Sequence, residues 1–409
     1  MRLMAPLGIV AALASPAAAF AADLSGSLRL SYFSSSRDLD DVRGVQALTG
    51  EIEWKQDIGP AHRLEVKGRS TLFGHGSLAR TRTHWSSALW HARFEHADLR
   101  LGQQKIRWGK ADGINPTDFF TPVDYTTVLP LEDDRYLSVP AARLDLHLSD
   151  VDSLSMVVGD GFTPSRIPWP RPSPVTVRDD EPDAGQLGAR WTHTGERQDW
   201  SLSAFRGHST LPLLHAQEPG SPGETDPDFV RHYARVQGFG VDLARSVGAF
   251  GFRAELAYVV PRGYNARQSI RSNWHLVAGV DRSFPAWNFN VQAVVRHTPD
   301  FEPIDGNLPD AVRFAALQNG LIHGQQARWV HGMTARVAAD WRNDTLQTEL
   351  LAVAQFSPDN YLLRPLVTYA WSDRVKLRAG AEYYRGPADT YFGALERNRT
   401  AFVEWQLFY

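Results

Sequence analysis

The feature that most constrains the fold is a two-residue alternation of apolar and polar side chains that recurs from Asp23 to Tyr409. Successive side chains leave a strand on opposite faces, so this period marks strands with one apolar and one wet face. Over 45–57, Leu48, Ile52 and Trp54 oppose Glu51, Glu53 and Lys55; over 61–73, Leu64, Val66 and Leu72 oppose Arg63, Glu65, Lys67 and Arg69. Read along the whole chain, the pattern predicts about eighteen strands of about ten residues, the length that crosses a bilayer when tilted. These include 84–95, 97–109, 139–149 and 397–409.

No run of eighteen apolar residues follows Asp23, which excludes helical spans. Thirteen Trp, twelve Tyr and twenty Phe in so polar a chain fit aromatic girdles at a membrane interface. These features together predict an all-β fold: a single-chain transmembrane antiparallel β-barrel, its apolar face to lipid and its charges to a wet lumen. Closure pairs every backbone group and leaves no edge.

The connections support this by alternating in length. Short turns fall at 58–60, 96, 149–150, 195–197, 247–248, 284–285, 342–343 and 372–373. Longer loops fall at 35–44, 74–83, 110–138, 161–183, 209–231, 262–272, 299–327 and 386–396, and 357–360 is the short exception. Short periplasmic turns and long extracellular loops are the habit of barrels in the outer membrane of a Gram-negative bacterium, which places both termini in the periplasm. A soluble sandwich has no reason to alternate this way. Residues 1–22 have a basic start, a short apolar core and small residues before Asp23, the pattern of a signal peptide; 23–409 is then the barrel. The last strand sets Ala401, Val403, Trp405, Leu407 and Tyr409 against Thr400, Glu404 and Gln406. Trp405, Leu407 and Tyr409 resemble the terminal signal of outer-membrane barrels. The expected partners are therefore the β-barrel assembly machinery, outer-membrane lipid and lipopolysaccharide.

Other classes are poorly supported. Cysteine is absent, so thiolate sites are too, and a net charge of −3 argues against nucleic acid. There is no G-x-S-x-G or H-E-x-x-H motif, and no spacing for a calcium loop. The stretch from Gly102 to Gly109-Lys110 is near a phosphate loop, but its spacing is wrong and Ala111 replaces the hydroxyl residue. No catalytic residue, metal or cofactor is expected.

One segment breaks the pattern. Between the strands that carry Leu99 and Arg143 lie about thirty residues dense in charge, aromatics and proline. Loop 110–138 is expected to fold inward as a constriction, with Arg107, Trp108, Lys110, Asp112, Asn115, Asp118, Asp124, Tyr125, Asp134 and Arg135 facing the pore. Irregular backbone at membrane depth is tolerated where it lines a cavity. The alternative is a solvated external loop in which Asn115-Pro116-Thr117-Asp118 is a capped turn. Basic residues expected on the lumen wall are Arg63, Lys67, Arg69, Arg143, Arg296, Arg336, Arg364 and Arg378. They are offset by Glu51, Glu53, Glu65, Glu95, Asp145, Glu255, Glu349 and Glu382, leaving a lean toward anions. The proline-dense 161–175 reads as a stiff external loop, and AspAlaValArgPheAlaAlaLeuGlnAsnGly as a short helix ending at Gly320.

Residues 102–118, GlyGlnGlnLysIleArgTrpGlyLysAlaAspGlyIleAsnProThrAsp, resemble the signature of porin-like outer-membrane proteins in the DUF1302-like and alginate-export-like set. GlyPheThrProSerArgIlePro at 161–168 is similar to a block in barrels that accompany exopolysaccharide clusters. The resemblance implies an eighteen-stranded barrel that passes a polysaccharide outward with a separate periplasmic polysaccharide-export protein. The first expectation is therefore export. The alternative is a porin for uptake of small hydrophilic or aromatic nutrients. A barrel enzyme, or an assembly or adhesion barrel, comes third.

Overall fold

The computed structural model describes residues 22–36, 43–75, 78–126, 132–167, 177–183, 185–216, 229–262 and 270–409. The signal-peptide segment lies outside them, apart from Ala22. In chain order the strands are β1 (Ala22–Ser35), β2 (Gly44–Ile58), β3 (His62–His75), β4 (Leu78–Arg93), β5 (Ala97–Gln104), β6 (Val139–His147) and β7 (Asp152–Gly159). They continue with β8 (Val177–Asp179), β9 (Gln186–Thr194), β10 (Gln198–His208), β11 (Leu213–Ala216), β12 (Phe229–His232), β13 (Arg235–Val247) and β14 (Phe250–Arg262). The series ends with β15 (Asn273–Ser283), β16 (Trp287–His297), β17 (Trp329–Trp341), β18 (Leu346–Phe356), β19 (Asp359–Ser372), β20 (Val375–Arg385) and β21 (Thr400–Phe408).

Eighteen of these strands form one antiparallel sheet, and β1 closes it on β21 with Leu28 opposite Leu407 and Leu30 opposite Trp405. Each strand pairs with its chain neighbour once β8, β11 and β12 are set aside. Closure removes the unpaired edge that lipid would not tolerate. The outward face carries the expected alternation: Leu28, Leu30, Tyr32, Leu48, Ile52, Trp405, Leu407 and Tyr409 point away from the lumen. Aromatic pairs form two belts. At one end Trp274 stacks on Tyr258 (4.3 Å) and His297 on Trp329 (3.9 Å); at the other Trp191 meets Trp200 (5.3 Å) and Trp287 meets Trp341 (5.1 Å).

The ends of the barrel differ. Turns of two to four residues join β2 to β3, β4 to β5, β6 to β7 and so on to β19–β20 at the end that also holds Ala22 and Tyr409. Most long connections lie at the opposite end. The expected loop 74–83 is not among them, because β3 and β4 run on to His75 and from Leu78. The alternation was invisible there: Arg80 and Arg82 face inward, but the outward positions are Thr81 and Thr83, and Thr83 bonds Ser70 (3.1 Å). β5 ends at Gln104 rather than 109. Ile106 and Trp108 repeat at a spacing of two but on the opposite parity to Leu99 and Leu101, and both pack inside the ring as buried core.

β8, β11 and β12 make a small sheet at the long-loop end, which the sequence did not announce. On it packs α1 (Asp310–His323), through Leu214, Phe229 and Ala315. Asn319 exchanges two bonds with the Leu214 backbone (2.7 and 2.9 Å), tying together two loops far apart in the chain. The helix runs a turn beyond the expected Gly320 and stops at Gly324, whose φ of 62° is the left-handed conformation glycine adopts freely.

Inside the wall, charges pair across strands. Arg378 on β20 donates to Glu404 (2.8 Å) and Gln406 (2.6 Å) on β21 next to the closing seam, and both side chains of the ion pair are almost fully buried. Removing one partner of such a pair leaves the other charge stranded, at a cost of about 3–5 kcal/mol. Arg378→Met should therefore lower barrel stability by about 3 kcal/mol, read as an earlier urea midpoint for unfolding from detergent micelles.

Candidate functional site

After Gln104 the chain leaves the wall, and its course is set by one carboxylate. Glu255 projects from the inward face of β14 and is 1% exposed. It accepts bonds from the Lys110 N–H, the Ala111 N–H (2.5 Å), Asn115 Nδ2 (3.1 Å), Thr117 N–H (3.4 Å) and Thr117 Oγ1 (3.0 Å). A buried carboxylate is tolerable only when so saturated. Gly109 makes the approach feasible: its φ is +102°, and a Cβ there would sit 2.5 Å from Glu255 Oε1. The near-phosphate-loop pattern thus has a structural meaning. Its backbone donors form an anion cradle, and the anion is supplied by the protein's own wall.

The segment's charged side chains meet the wall at points around the ring. Lys110 pairs with Asp199 on β10 (3.2 Å). Asp112 meets Arg336 on β17 (3.3 Å), nine barrel strands round from β5, and Arg336 is also held by Glu349 (2.5 Å). Asp134 receives both Arg29 of β1 and Arg69 of β3. Arg135 reaches Glu382 on β20 (3.2 Å). Asp124 takes Arg82 of β4 (3.0 Å) and Arg166 (3.2 Å). Arg107 lies over the Tyr136 ring (3.7 Å) and near Asp133 (3.4 Å). Asn115 spends its amide on Glu255 and the Ala111 carbonyl, and Tyr125 is left partly exposed to the central cavity.

Trp108 departs from expectation. It is 3% exposed and packs edge-on to Phe120 (5.2 Å), which packs on Phe205 of β10 (4.9 Å). It fastens the segment to the wall rather than facing the pore. Asp118 also has an inward role. Thr121 Oγ1 lies 2.6 Å from the Ile106 carbonyl and 2.8 Å from Asp118 Oδ1, but a hydroxyl has one proton. Both contacts are satisfied if Asp118 is neutral and donates, and desolvation pushes its carboxyl up to about 7.

The basic wall residues occupy varied surroundings. Arg63 pairs with Asp57 (2.6 Å) at the short-turn end, Lys67 lies between Glu51 and Glu53 (3.3 Å each), and Arg143 bonds Asp145 (2.9 Å). Arg364 approaches Glu382 (3.6 Å). Arg296 donates to the His323 carbonyl at the end of α1 and to His275 (3.0 Å), and no carboxylate pairs with it among the described residues. Glu95, expected inward, sits in the turn after β4 with its side chain 88% exposed. Its position next to the strand end put it one residue outside the alternation.

A cavity of about 1580 Å³ lies between the segment, the upper wall and α1. Eight arginines line it, including Arg80, Arg82, Arg166 and Arg296, against six carboxylates. Sequence reasoning missed Arg29, Arg80, Arg82 and Arg166; for the first three, inward parity on β1 and β4 was the available signal. Ser165 and Arg166 belong to the Gly161–Pro168 block. Its described part braces the segment: Val123 N–H donates to Ser165 Oγ (3.0 Å), Arg166 N–H to the Val123 carbonyl (2.9 Å), and Tyr125 N–H to the Arg166 carbonyl (2.8 Å). No group of three metal-ligating side chains occurs among the described residues.

Such an arrangement, a closed wall with a loop bonded to its inner face, is the architecture of porins. Residues 70–371 match the family model described as protein of unknown function (DUF1302), and the chain belongs to that family. Its fold is that of outer-membrane porins. The chain is similar to the outer membrane protein OpdK of Pseudomonas aeruginosa (TM-score 0.58, 10% identity, 95% of this chain and 98% of that one). It is likewise similar to OccAB3 of Acinetobacter baumannii (0.59, 9%, 95% and 99%) and to OccK5 (OpdH) of Pseudomonas aeruginosa (0.57, 9%, 95% and 97%). A further OpdK structure is a complex with vanillate. No curated protein sequence matches the chain.

Two outcomes follow from the anchors. Glu255→Gln, which removes the charge but keeps the size, should loosen the loop by about 3 kcal/mol and appear as frequent closures or added noise in single-channel recordings. Gly109→Ala should act in the same direction. For Asp118, a folded-state value raised above the ordinary 3.8 means that the folded protein holds the proton longer than the unfolded one. Its contribution is complete below about pH 4 and is lost as the pH rises to about 7. Current noise should therefore increase from pH 4 to pH 7 in the parent protein, and Asp118→Asn should flatten that dependence.

Proposed function

We propose that this chain is an outer-membrane channel for diffusive uptake of small hydrophilic solutes, with a preference for anions. The described residues of segment 110–138 are the constriction, the short-turn end with Ala22 and Tyr409 faces the periplasm, and the long-loop end faces outside. The observation that carries the proposal is the ring of struts from Asp112, Asp134, Arg135 and Lys110 to strands on every side of the lumen, next to a cavity richer in guanidinium than in carboxylate. The chemistry is that of a filter. Paired charges hold the loop, while cations without a full acidic complement, such as Arg296 and the Arg82–Arg166 pair on the single Asp124, are left to meet solute.

The porins of like fold favour this alternative over export of an exopolysaccharide, for which the motif at 161–168 was the main support. Vanillate, seen with OpdK, is an aromatic carboxylate, and a solute of that kind would suit Arg296 and the Tyr125 ring in the cavity here. No specific observation favours a barrel enzyme. The partners in this reading are membrane lipid, the assembly machinery that inserts the barrel, and the solute.

Planar bilayers under a salt gradient test the proposal. The parent protein should give a reversal potential on the anion-selective side. Arg296→Gln, and neutral substitutions of Lys110 or Arg135, should shift it toward zero by several millivolts, with a two- to threefold change in conductance for the constriction residues, a size set by one charge acting at about 4–8 Å through a wet pore. Unchanged selectivity and conductance in all three variants would remove the segment from the pore.

A further inference from the structure

The outward face carries a feature that uptake does not use. Arg206 on β10, Arg235 on β13 and Arg262 on β14 are exposed and share the parity of Leu202, Phe239 and Phe252, all of which point to lipid. The three strands are neighbours. Arg206 is opposite Gln237, and Arg235 is opposite Arg262. Arg262 donates twice to Gln237 Oε1 (3.0 and 3.4 Å), so the two strands gather their polar tips in one patch. Among the described residues no carboxylate pairs with any of the three arginines.

Location and charge together require an explanation. Guanidinium on the lipid face is costly at mid-bilayer and tolerable only toward the interface. These three lie at the long-loop ends of their strands, beyond a belt formed by Phe239, Tyr258 and Trp274, which are successive partners across β13, β14 and β15. That belt marks the boundary of the apolar region, so the arginines sit at headgroup level. Like charges directly across a strand pair repel, and Arg235 and Arg262 are such a pair. An anion between them turns the repulsion into a clamp, and guanidinium suits phosphate through paired N–H donors.

We propose that Arg206, Arg235 and Arg262, with Gln237, form a binding site on the outer wall for the phosphates of a phosphorylated glycolipid of the outer leaflet, with the lipid's chains lying along the aromatic belt below. The site takes from the proposed function only its orientation, long loops outward, and is independent of whether the pore conducts.

The test uses full-length protein refolded in detergent and native mass spectrometry with added lipid. Bisphosphorylated lipid A should bind as a discrete adduct, monophosphoryl lipid A several-fold more weakly, and phosphatidylglycerol weakly. The triple variant Arg206→Gln, Arg235→Gln, Arg262→Gln should lose the lipid A adduct by tenfold or more. Heat-modifiable migration on gels checks that the variant barrel is folded, and the single variant Arg262→Gln, expected to weaken binding severalfold, serves if the triple variant is not. Inorganic phosphate at millimolar concentration should not displace the lipid; displacement would make this a site for free phosphate and overturn the proposal. Equal lipid A binding by parent and folded variants would overturn it, and so would equal binding of phosphatidylglycerol. Anion selectivity in bilayers should be the same in parent and triple variant, so failure of the lipid site and failure of the channel reading are read from separate measurements.

Discussion

Everything inside this barrel depends on the carboxylate of Glu255. A charge at that depth is costly to bury, and among the described residues no arginine pairs with it, since Arg253 on the same strand goes to Asp281; the compensation comes from a segment some 140 residues earlier in the chain. The requirement runs both ways. Lys110, Ala111 and Thr117 have backbone N–H groups that no strand pairs, and without the carboxylate they would need water or another acceptor. One contact therefore satisfies an unpaired anion and a row of unpaired donors. Gly109 is what lets the two meet, since any side chain there would occupy the space of the Glu255 oxygens.

The other struts are of a different kind. Pairs such as Lys110–Asp199 and Asp112–Arg336 are partly wet, and each alone contributes little, about 0–1 kcal/mol. Their value is geometric. They attach the segment at strands up to nine places round the ring from its origin, while the Trp108–Phe120–Phe205 stack fixes it near its start. An apolar anchor on one side and charged contacts on the other hold a loop across a space that neither could span alone. The small sheet of β8, β11 and β12 and the helix α1 continue this bracing at the long-loop end, where Arg296 reaches the His323 carbonyl at the end of α1 and so joins wall to cap.

The wall was legible in the sequence and its contents much less so. Strands showed because Leu, Val and Trp must face lipid at every second position, a local constraint that repeats eighteen times. The start of β4 was hidden because Thr81 and Thr83 replaced that apolar signal, and the end of β5 was overrun although Ile106 and Trp108 fall on the opposite parity to Leu99 and Leu101, a phase change that marks the chain leaving the wall. Density of charge drew attention to the segment, whose Asp112, Asp124, Asp134 and Arg135 form ion pairs with arginines and a glutamate of the wall and the adjoining loop. What composition could not distinguish was an aromatic that faces a solute from one that packs, so Trp108 was misplaced. Nor could it rank Glu255 above the seven other acids expected inward, because its partners are distant in sequence and mostly backbone. The Gly161–Pro168 block resembles one in export barrels by sequence, while its described residues act locally as a brace for Val123 and Tyr125.

Size and screening together explain why a filter, rather than a conduit for polymer, is the reading these contacts favour. A polymer needs an unbroken passage, whereas the segment is bonded to the wall at opposite sides and leaves a cavity of about 1580 Å³, a volume suited to a small solute with its water. In a wet lumen at physiological salt, fields decay over about 8 Å, so the arginines exert little selectivity across an open barrel. They become effective only where the path is narrow enough for a solute to pass within a few ångströms of them. In the proposed channel the segment supplies that narrowing. The same ion pairs that hold it use up carboxylates, and guanidiniums such as Arg296, which no carboxylate among the described residues pairs with, are left lining the cavity.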